Sequence, residues 1–201
     1  MKLRILNEIY DIHELFRMIT DSSPKEDLQV NGILSTCKYD NIYISSDMHF
    51  LKDYDIVDDL MIKMHNNVFR SNNSNKIYIN LGDIGCKEIL ACKELLKEKI
   101  CALNKGKYNI LIRGNHDVFE DEFYHDCGFD IVILGPLKFK NLIFSHIPID
   151  INNANTEEDC INIHGHMHQY PIIDNIKRCL VYTRQMPYSP INLYQVLSLS
   201  S

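Results

Sequence analysis

The chain has 201 residues, with 21 lysines and arginines against 27 aspartates and glutamates, a formal net charge of −6. That length suits one domain, and 45% hydrophobic with 24% charged residues excludes a disordered acidic tail or a collagen-like chain. A negative balance without a basic run also argues against broad, charge-driven binding of nucleic acid, whose affinity comes largely from Lys and Arg displacing counterions.

From the N-terminus, Leu3, Leu6, Ile9, Tyr10, Ile12, Leu15, Phe16 and Ile19 fall at helical spacing, and Asp21-Ser22-Ser23-Pro24 stops the pattern, which predicts an amphipathic helix. Leu28 to Cys37, around Asn31-Gly32, reads as a hairpin. Residues 1–40 are thus expected to form an N-terminal extension packed on the core of a main domain, 41–201. There, strand and helix patterns alternate: a strand at Asn41 to Ser46, a helix at Ile56 to Phe69, a strand at Lys76 to Leu81, a helix at Lys87 to Cys101 and a strand at Tyr108 to Ile112. That order is the mark of an α/β protein. Short strands follow at Ile131 to Leu134, Asn141 to Ser145, Ile161 to His164 and Leu180 to Thr183, and Ile191 to Leu199 is open between strand and helix.

Seven cysteines without a C-x-x-C pair read as reduced, buried thiols of a cytoplasmic protein. Asn7, Glu8, Asp11 and Glu14 interrupt any signal-peptide core, and no apolar run approaches the roughly 18 residues that span a bilayer. No membrane association is expected.

Five polar clusters follow apolar runs: Ser46-Asp47-Met48-His49, Gly82-Asp83, Gly114-Asn115-His116-Asp117, Ser145-His146 and His164-Gly165-His166-Met167-His168. Strand ends of this kind are where ligands of open α/β sheets collect. Asp47, His49, Asp83, Asn115, His146, His166 and His168 offer two carboxylates, one carboxamide and four imidazoles, with no thiolate. Such a mixed N/O set suits Mn, Fe, Co, Ni or Zn in five- or six-coordination, with Mn foremost, better than a structural tetrahedral zinc. Seven ligands are too many for one ion but serve two if one carboxylate is shared, and Asp83, central in sequence, is the candidate. Ions bridged in this way, about 3.5–4 Å apart, clamp an in-line displacement at phosphorus. Two divalent cations, two carboxylates and a bridging hydroxide leave a formal +1, which attracts an anionic phosphate.

These motifs, D-x-H, G-D, G-N-H-D, a lone H and G-H-x-H in that order, resemble the signature of the calcineurin-like metallophosphoesterases over residues 41–201. The resemblance implies an α/β fold, a four-layer α/β/β/α sandwich of two mixed sheets with the metals at the sheet edges. It implies Asp47, His49, Asp83 and His168 around one ion, and Asp83, Asn115, His146 and His166 around the other. It gives His116 the catalytic part of binding a phosphate oxygen and protonating the leaving group. Where protein serine/threonine phosphatases of the superfamily carry G-D-x-V-D-R-G, this chain has Gly82-Asp83-Ile84-Gly85-Cys86-Lys87, so it looks more like the small, compact bacterial phosphoesterases.

Other polar residues have plainer readings. Asp117 with Glu120 resembles a helix capping box, with buttressing of its loop as the alternative. His164 suits a strand-end hydrogen bond, and His13, His65 and His125 suit helix surfaces. Arg113 and Arg184 are the arginines near the clusters, each divided between a structural salt bridge and substrate contact. The expected function is a dinuclear metal-dependent phosphoester hydrolase in which a metal-bridging hydroxide attacks small phosphoesters. Two other functions are weighed against it: a non-catalytic metal-binding scaffold, disfavoured by the complete ligand set, and a nuclease sharing the metal site, disfavoured by the lack of a basic channel.

Overall fold

Runs dense in β-branched and aromatic residues make parallel strands buried on both faces, and three of them frame this molecule: Ile-Tyr-Ile-Ser at 42–45, Ile-Tyr-Ile-Asn at 77–80 and Tyr-Asn-Ile-Leu-Ile at 108–112. The structure is a computed structural model that describes residues 2–5, 8–11, 24–52, 55–70, 75–86, 92–149, 160–168, 178–181, 183–184 and 187–198. In chain order its elements are β1 (Lys2–Ile5), β2 (Glu8–Asp11), α1 (Pro24–Ser35), a 3-10 turn (Tyr39–Asn41), β3 (Ile42–Ser45), α2 (Asp55–Val68), β4 (Ile77–Asn80) and α3 (Lys93–Cys101). There follow β5 (Tyr108–Ile112), α4 (Asp121–Asp126), β6 (Ile131–Ile133), β7 (Leu137–Phe139), β8 (Leu142–Ser145), β9 (Ile161–His164), β10 (Arg178–Leu180), β11 (Ile191–Asn192) and α5 (Leu193–Ser198).

The strands form a five-stranded sheet, β11-β3-β4-β5-β6, and a four-stranded sheet, β10-β9-β8-β7, while β1 and β2 pair only with each other. In the first sheet β3 to β6 run parallel and β11 lies antiparallel at the edge. In the second, β8, β9 and β10 are parallel and β7 is the antiparallel edge. The register Ile42↔Ile77, Ile44↔Ile79 and Ile77↔Tyr108, Ile79↔Ile110 aligns alternate side chains across the first sheet. One set, with Ile42, Ile44, Ile77, Ile79, Ile110 and Ile112, shares a buried cluster with Leu137, Phe139, Leu142, Phe144 and Ile163 of the second sheet. The other set, including Tyr78, Leu111 and Val132, packs under Met61 of α2, Leu96 and Ile100 of α3, and Phe123 and Tyr124 of α4. The result is the mixed α/β arrangement of two sheets and helices expected from sequence. No helix among the described residues is long and apolar enough to cross a membrane.

The first forty residues correct the sequence reading. The helix expected over 3–19 is overturned at 2–5 and 8–11, which pair as antiparallel strands with Leu3 opposite Tyr10. Lys2-Leu3-Arg4-Ile5 alternates polar and apolar residues, and this two-residue period prevails over the helical spacing. The hairpin expected around Asn31-Gly32 is instead helix α1, begun by Pro24, whose ring suits a first helical turn. Val30 and Leu34, one turn apart and fully buried, seat α1 in the core between the sheets beside β6 and β7. Elsewhere Cys92 and Cys101 are exposed, against the expectation of buried thiols, whereas Cys86, Cys127 and Cys160 are buried. His65 is not a surface residue either: it is fully buried, stacked on Phe69 at 4.7 Å, with Nε2 against Asn104 O at 2.9 Å. Burial pushes its pKa down to about 4.

Candidate metal centre

Parallel strands bring their C-terminal ends to one side. β3, β4 and β5 thus deliver Asp47, His49, Asp83, Asn115 and His116 from one sheet, and β8 and β9 deliver His146, His166 and His168 from the other. All seven expected ligand residues and His116 meet in one cluster. Asp47, His49, Asp83 and His146 are buried, and Asn115, His116, His166 and His168 are partly exposed.

The turns that achieve this are costly for the backbone. Asp47, His49, Asp83, His166 and His168 all adopt left-handed φ, from 44° to 67°, a conformation that non-glycine residues hold only where the surroundings over-determine it. Bonds between the β3 and β4 loops supply that constraint: Asp47 N–H donates to Gly82 O at 2.9 Å, His49 N–H to Asp83 O at 3.0 Å and Phe50 N–H to Ile84 O at 2.9 Å. Gly82, at φ +93°, lies so close to Gly114 and His146 that a Cβ would stand 2.7 Å from Gly114 Cα and 2.9 Å from His146 Nδ1. Its N–H is held at 2.8 Å by Asn80 Oδ1, in a buried network with Tyr78 and Ser45.

Two groups of ligand atoms result. Asp47 Oδ1 lies 3.3 Å from His168 Nε2 and 3.7 Å from His49 Nε2, and the two imidazole nitrogens are 3.1 Å apart. His146 Nε2 lies 3.1 Å from Asn115 Oδ1 and 3.2 Å from His166 Nδ1, with Asn115 Oδ1 and His166 Nδ1 3.0 Å apart. Asp83 Oδ2 stands between the groups, 3.7 Å from His49 Nε2 and 3.2 Å from His146 Nε2. Donors bound about 2.1 Å from one cation, at right angles, are roughly 3.0 Å apart, so both groups fit an ion in spacing as well as in donor type. His146 Nδ1 donates to Leu81 O at 2.7 Å, which leaves Nε2 with its lone pair toward the cluster, the usual outer partner of a ligating imidazole.

The electrostatics favour positive charge here. Burial opposes ionisation of Asp47, but hydrogen bonds with His168 and His49 hold its carboxyl well below the usual range. Burial pulls His146 down, yet the hydrogen bond and charge of Asp83 win and raise it to about 9. Both carboxylates therefore stay ionised and hold a cationic partner, proton or metal, against them.

Asp117 buttresses the site instead of capping a helix. Its carboxylate accepts N–H bonds from Asp83 and Gly114, each at 2.8 Å, and from Ile84 at 3.1 Å, while α4 begins at Asp121 behind Glu120. Burial and the charge of Asp83 push it up to about 6. His164 is at a strand end, with Nδ1 2.8 Å from Gly165 O. His125 is an exposed residue of α4, and His13 lies outside the described residues.

For Arg113 and Arg184, divided in sequence between a structural salt bridge and substrate contact, the structure shows a salt bridge in each case. Arg113 is bound to Asp121 Oδ1 at 2.8 Å and to the carbonyls of Asp117 and Phe119 at 2.6 and 2.7 Å. Arg184 is buried against Asp58 and the carbonyls of Met48 and His49. Sequence reasoning missed Asp58, although it had a signal: with Met61 and His65 it occupies the buried face of α2, where a carboxylate requires a partner. Ser46, whose Oγ donates to Asp47 Oδ2 at 2.6 Å, had none.

The sequence matches the family model of the calcineurin-like phosphoesterases over residues 41–193. No curated protein sequence matches the chain. Among solved structures it is similar to AQ665, a protein of unknown function from Aquifex aeolicus, with a TM-score of 0.55 and 19% identity over 79% of this chain and 98% of that one. It is also similar to the nuclease MPE of Pseudomonas putida, with a TM-score of 0.40 and 19% identity over 64% of this chain and 62% of that one.

Proposed function

The chain belongs to the calcineurin-like phosphoesterase family, and from that premise we propose that it is a dinuclear, metal-dependent hydrolase of small phosphoesters. The observation that carries the reading is the place of Asp83 Oδ2, within 3.7 Å of His49 Nε2 on one side and 3.2 Å of His146 Nε2 on the other. Asp47, His49, Asp83 and His168 would hold one cation, and Asp83, Asn115, His146 and His166 the second. When bound, two such ions supply Lewis acidity and an ionised water at neutral pH. Manganese suits the mixed N/O donors, as do other first-row divalent ions.

The protein's own residues do the rest. His116 is partly exposed, with Nε2 4.0 Å from Asp83 Oδ2 and its backbone N–H bound to Asp83 Oδ1 at 2.8 Å. It is therefore fixed beside the shared carboxylate, where its imidazolium would bind a phosphate oxygen and deliver a proton to the departing alkoxide. Asp117 holds the two loops that carry Asp83 and Asn115 at a set separation. With Arg113 and Arg184 engaged internally, neither is offered as a clamp for a dianion, and this supports a preference for monoanionic phosphodiesters.

The test is metal stoichiometry of the purified chain and of Asp83→Asn, with hydrolysis of bis-nitrophenyl phosphate, nitrophenyl phosphate and a single-stranded oligonucleotide under Mn²⁺. Two equivalents in the wild type, loss of both in the variant and the higher kcat/KM on the diester are expected. A full metal complement in Asp83→Asn would overturn the bridge, a monoester preference the diester assignment, and cleavage of the oligonucleotide alone the small-substrate reading.

A further inference from the structure

Val181 and Thr183 link the two sheets at the rim of the metal centre. Val181 N–H donates to His164 O at 2.8 Å on one side, and Thr183 N–H donates to Ser46 O at 3.0 Å on the other. Thr183 Oγ1 accepts the Ser46 N–H at 3.0 Å. The link thereby delivers Arg184, 8% exposed, beneath the loop that carries Asp47 and His49.

There Arg184 Nη1 lies 2.8 Å from Met48 O, 2.9 Å from His49 O and 3.0 Å from Asp58 Oδ1. Asp58, 1% exposed on α2, uses its other oxygen to accept the N–H of Leu51 at 2.8 Å. The two side chains thus hold three backbone groups of the loop: the carbonyls on either side of the His49 Cα and the amide two residues on. This is the loop in which Asp47, His49 and Leu51 all have positive φ, at 52°, 44° and 68°. The bonds to residues 82–84 fix the amide edge of the loop, and Arg184 with Asp58 fixes its carbonyl edge.

We propose that Asp58 and Arg184 are a positioning pair that sets the aim of His49, and with it the metal affinity of the Asp47–His49–His168 half of the site. The pair grips Met48, His49 and Leu51, whereas the Asn115–His146–His166 half is held by Leu81 O on His146 Nδ1 at 2.7 Å and meets the loop at Asp47, which accepts the His166 N–H at 2.9 Å; the pair is therefore expected to act on the first half alone. The inference rests on the reading of His49 as a metal ligand. Groups that orient a ligand from behind characteristically change metal affinity by about 10- to 100-fold. The rigid, planar guanidinium fixes where its Nη1 stands among the three acceptors, a placement that a lysine ammonium on a flexible stem does not reproduce. The competing reading is a buried ion pair that matters only to stability.

Calorimetric titration of Mn²⁺ into the metal-stripped full chain separates the two readings. Arg184→Lys keeps the charge and loses the rigid placement of Nη1, and the neutral double variant Asp58→Asn/Arg184→Gln removes both charges together, so neither leaves an unpaired buried ion. In both, one of two affinities should fall about 10- to 100-fold and the other should stay within about threefold. In a His49→Ala background, where the weakened half is already lost, Arg184→Lys should change the remaining affinity by less than about threefold. Variants that melt lower but keep both affinities, or weaken both equally, overturn the proposal. So does failure of both to fold by circular dichroism, because the pair would then govern the fold and not one half of the site. A wild-type chain that takes fewer than two ions overturns the proposed function and this inference together, and is recognised before any variant is compared.

Discussion

His116 stands edge-on to His49, ring centroids 5.0 Å apart, at the open side of the cluster. If it donates the proton to the leaving group, His116→Asn will retain both ions while turnover falls by about 10²-fold or more on alkyl esters. Nitrophenyl esters, whose leaving group scarcely needs a proton, will lose less; an equal loss on both ester types would leave His116 with phosphate binding alone. His65 offers a different test. Its folded pKa of about 4 is below the unfolded value of about 6.5. Between those values the unfolded chain takes up a proton that the folded one refuses, so its contribution is whole above pH 6.5 and is lost as pH falls toward 4. The difference amounts to about 3 kcal/mol. His65→Gln, which does not titrate, should unfold in urea with a smaller fall in stability between pH 7 and pH 4.5 than the wild type. Identical falls would show that His65 is not buried in its neutral form.

The elements were legible where one residue pattern spoke alone. β5 and β9 have the bounds read from sequence, and β3, β4 and α2 differ by a residue or so at their ends, because Ile-rich strands and a three-to-four-residue apolar stripe admit one reading each. The polar clusters that converge on the candidate centre were legible for the related reason that Asp, Asn and His directly after such strands have no apolar explanation. Patterns failed where two periods overlapped, as at 2–5 and 8–11, or where tertiary burial outweighed a local turn signal, as at Asn31-Gly32. The open reading of 191–199 resolves into both alternatives, strand β11 and then helix α5. β7, three residues long and directly after Gly135-Pro136, was too short to announce itself. Gly32 retains the cost of that buried signal: it is helical and exposed, and a Cβ there would meet nothing within 4 Å. Gly32→Ala should therefore stabilise the chain by about 0.5–1 kcal/mol in chemical denaturation. A loss of stability would mean that α1 is not helical at that point.

On the scale of the whole molecule, the candidate centre lies where the two sheets meet. Asp47, His49, Asp83 and Asn115 come from one and His146, His166 and His168 from the other, so ions held between them would tie the sheets together. Ions that bind only the folded chain stabilise it by mass action, by about 2.7 kcal/mol when free metal is 100 times its Kd. Chelation should accordingly lower the melting temperature of the metal-loaded protein, with restoration on adding Mn²⁺; an unmoved transition would mean that no ion bridges the sheets. The other margin of the first sheet has a separate bearing. β3, Ile-Tyr-Ile-Ser, would template a neighbour's strand if its edge were open. The chain returns to cover it with β11, two residues long, and turns at once into α5, whose Leu193 and Val196 are buried in the core. What faces outward there is a two-residue edge that passes directly into a helix, so protection of this margin against strand pairing falls to residues 191–198, which carry none of the ligand motifs.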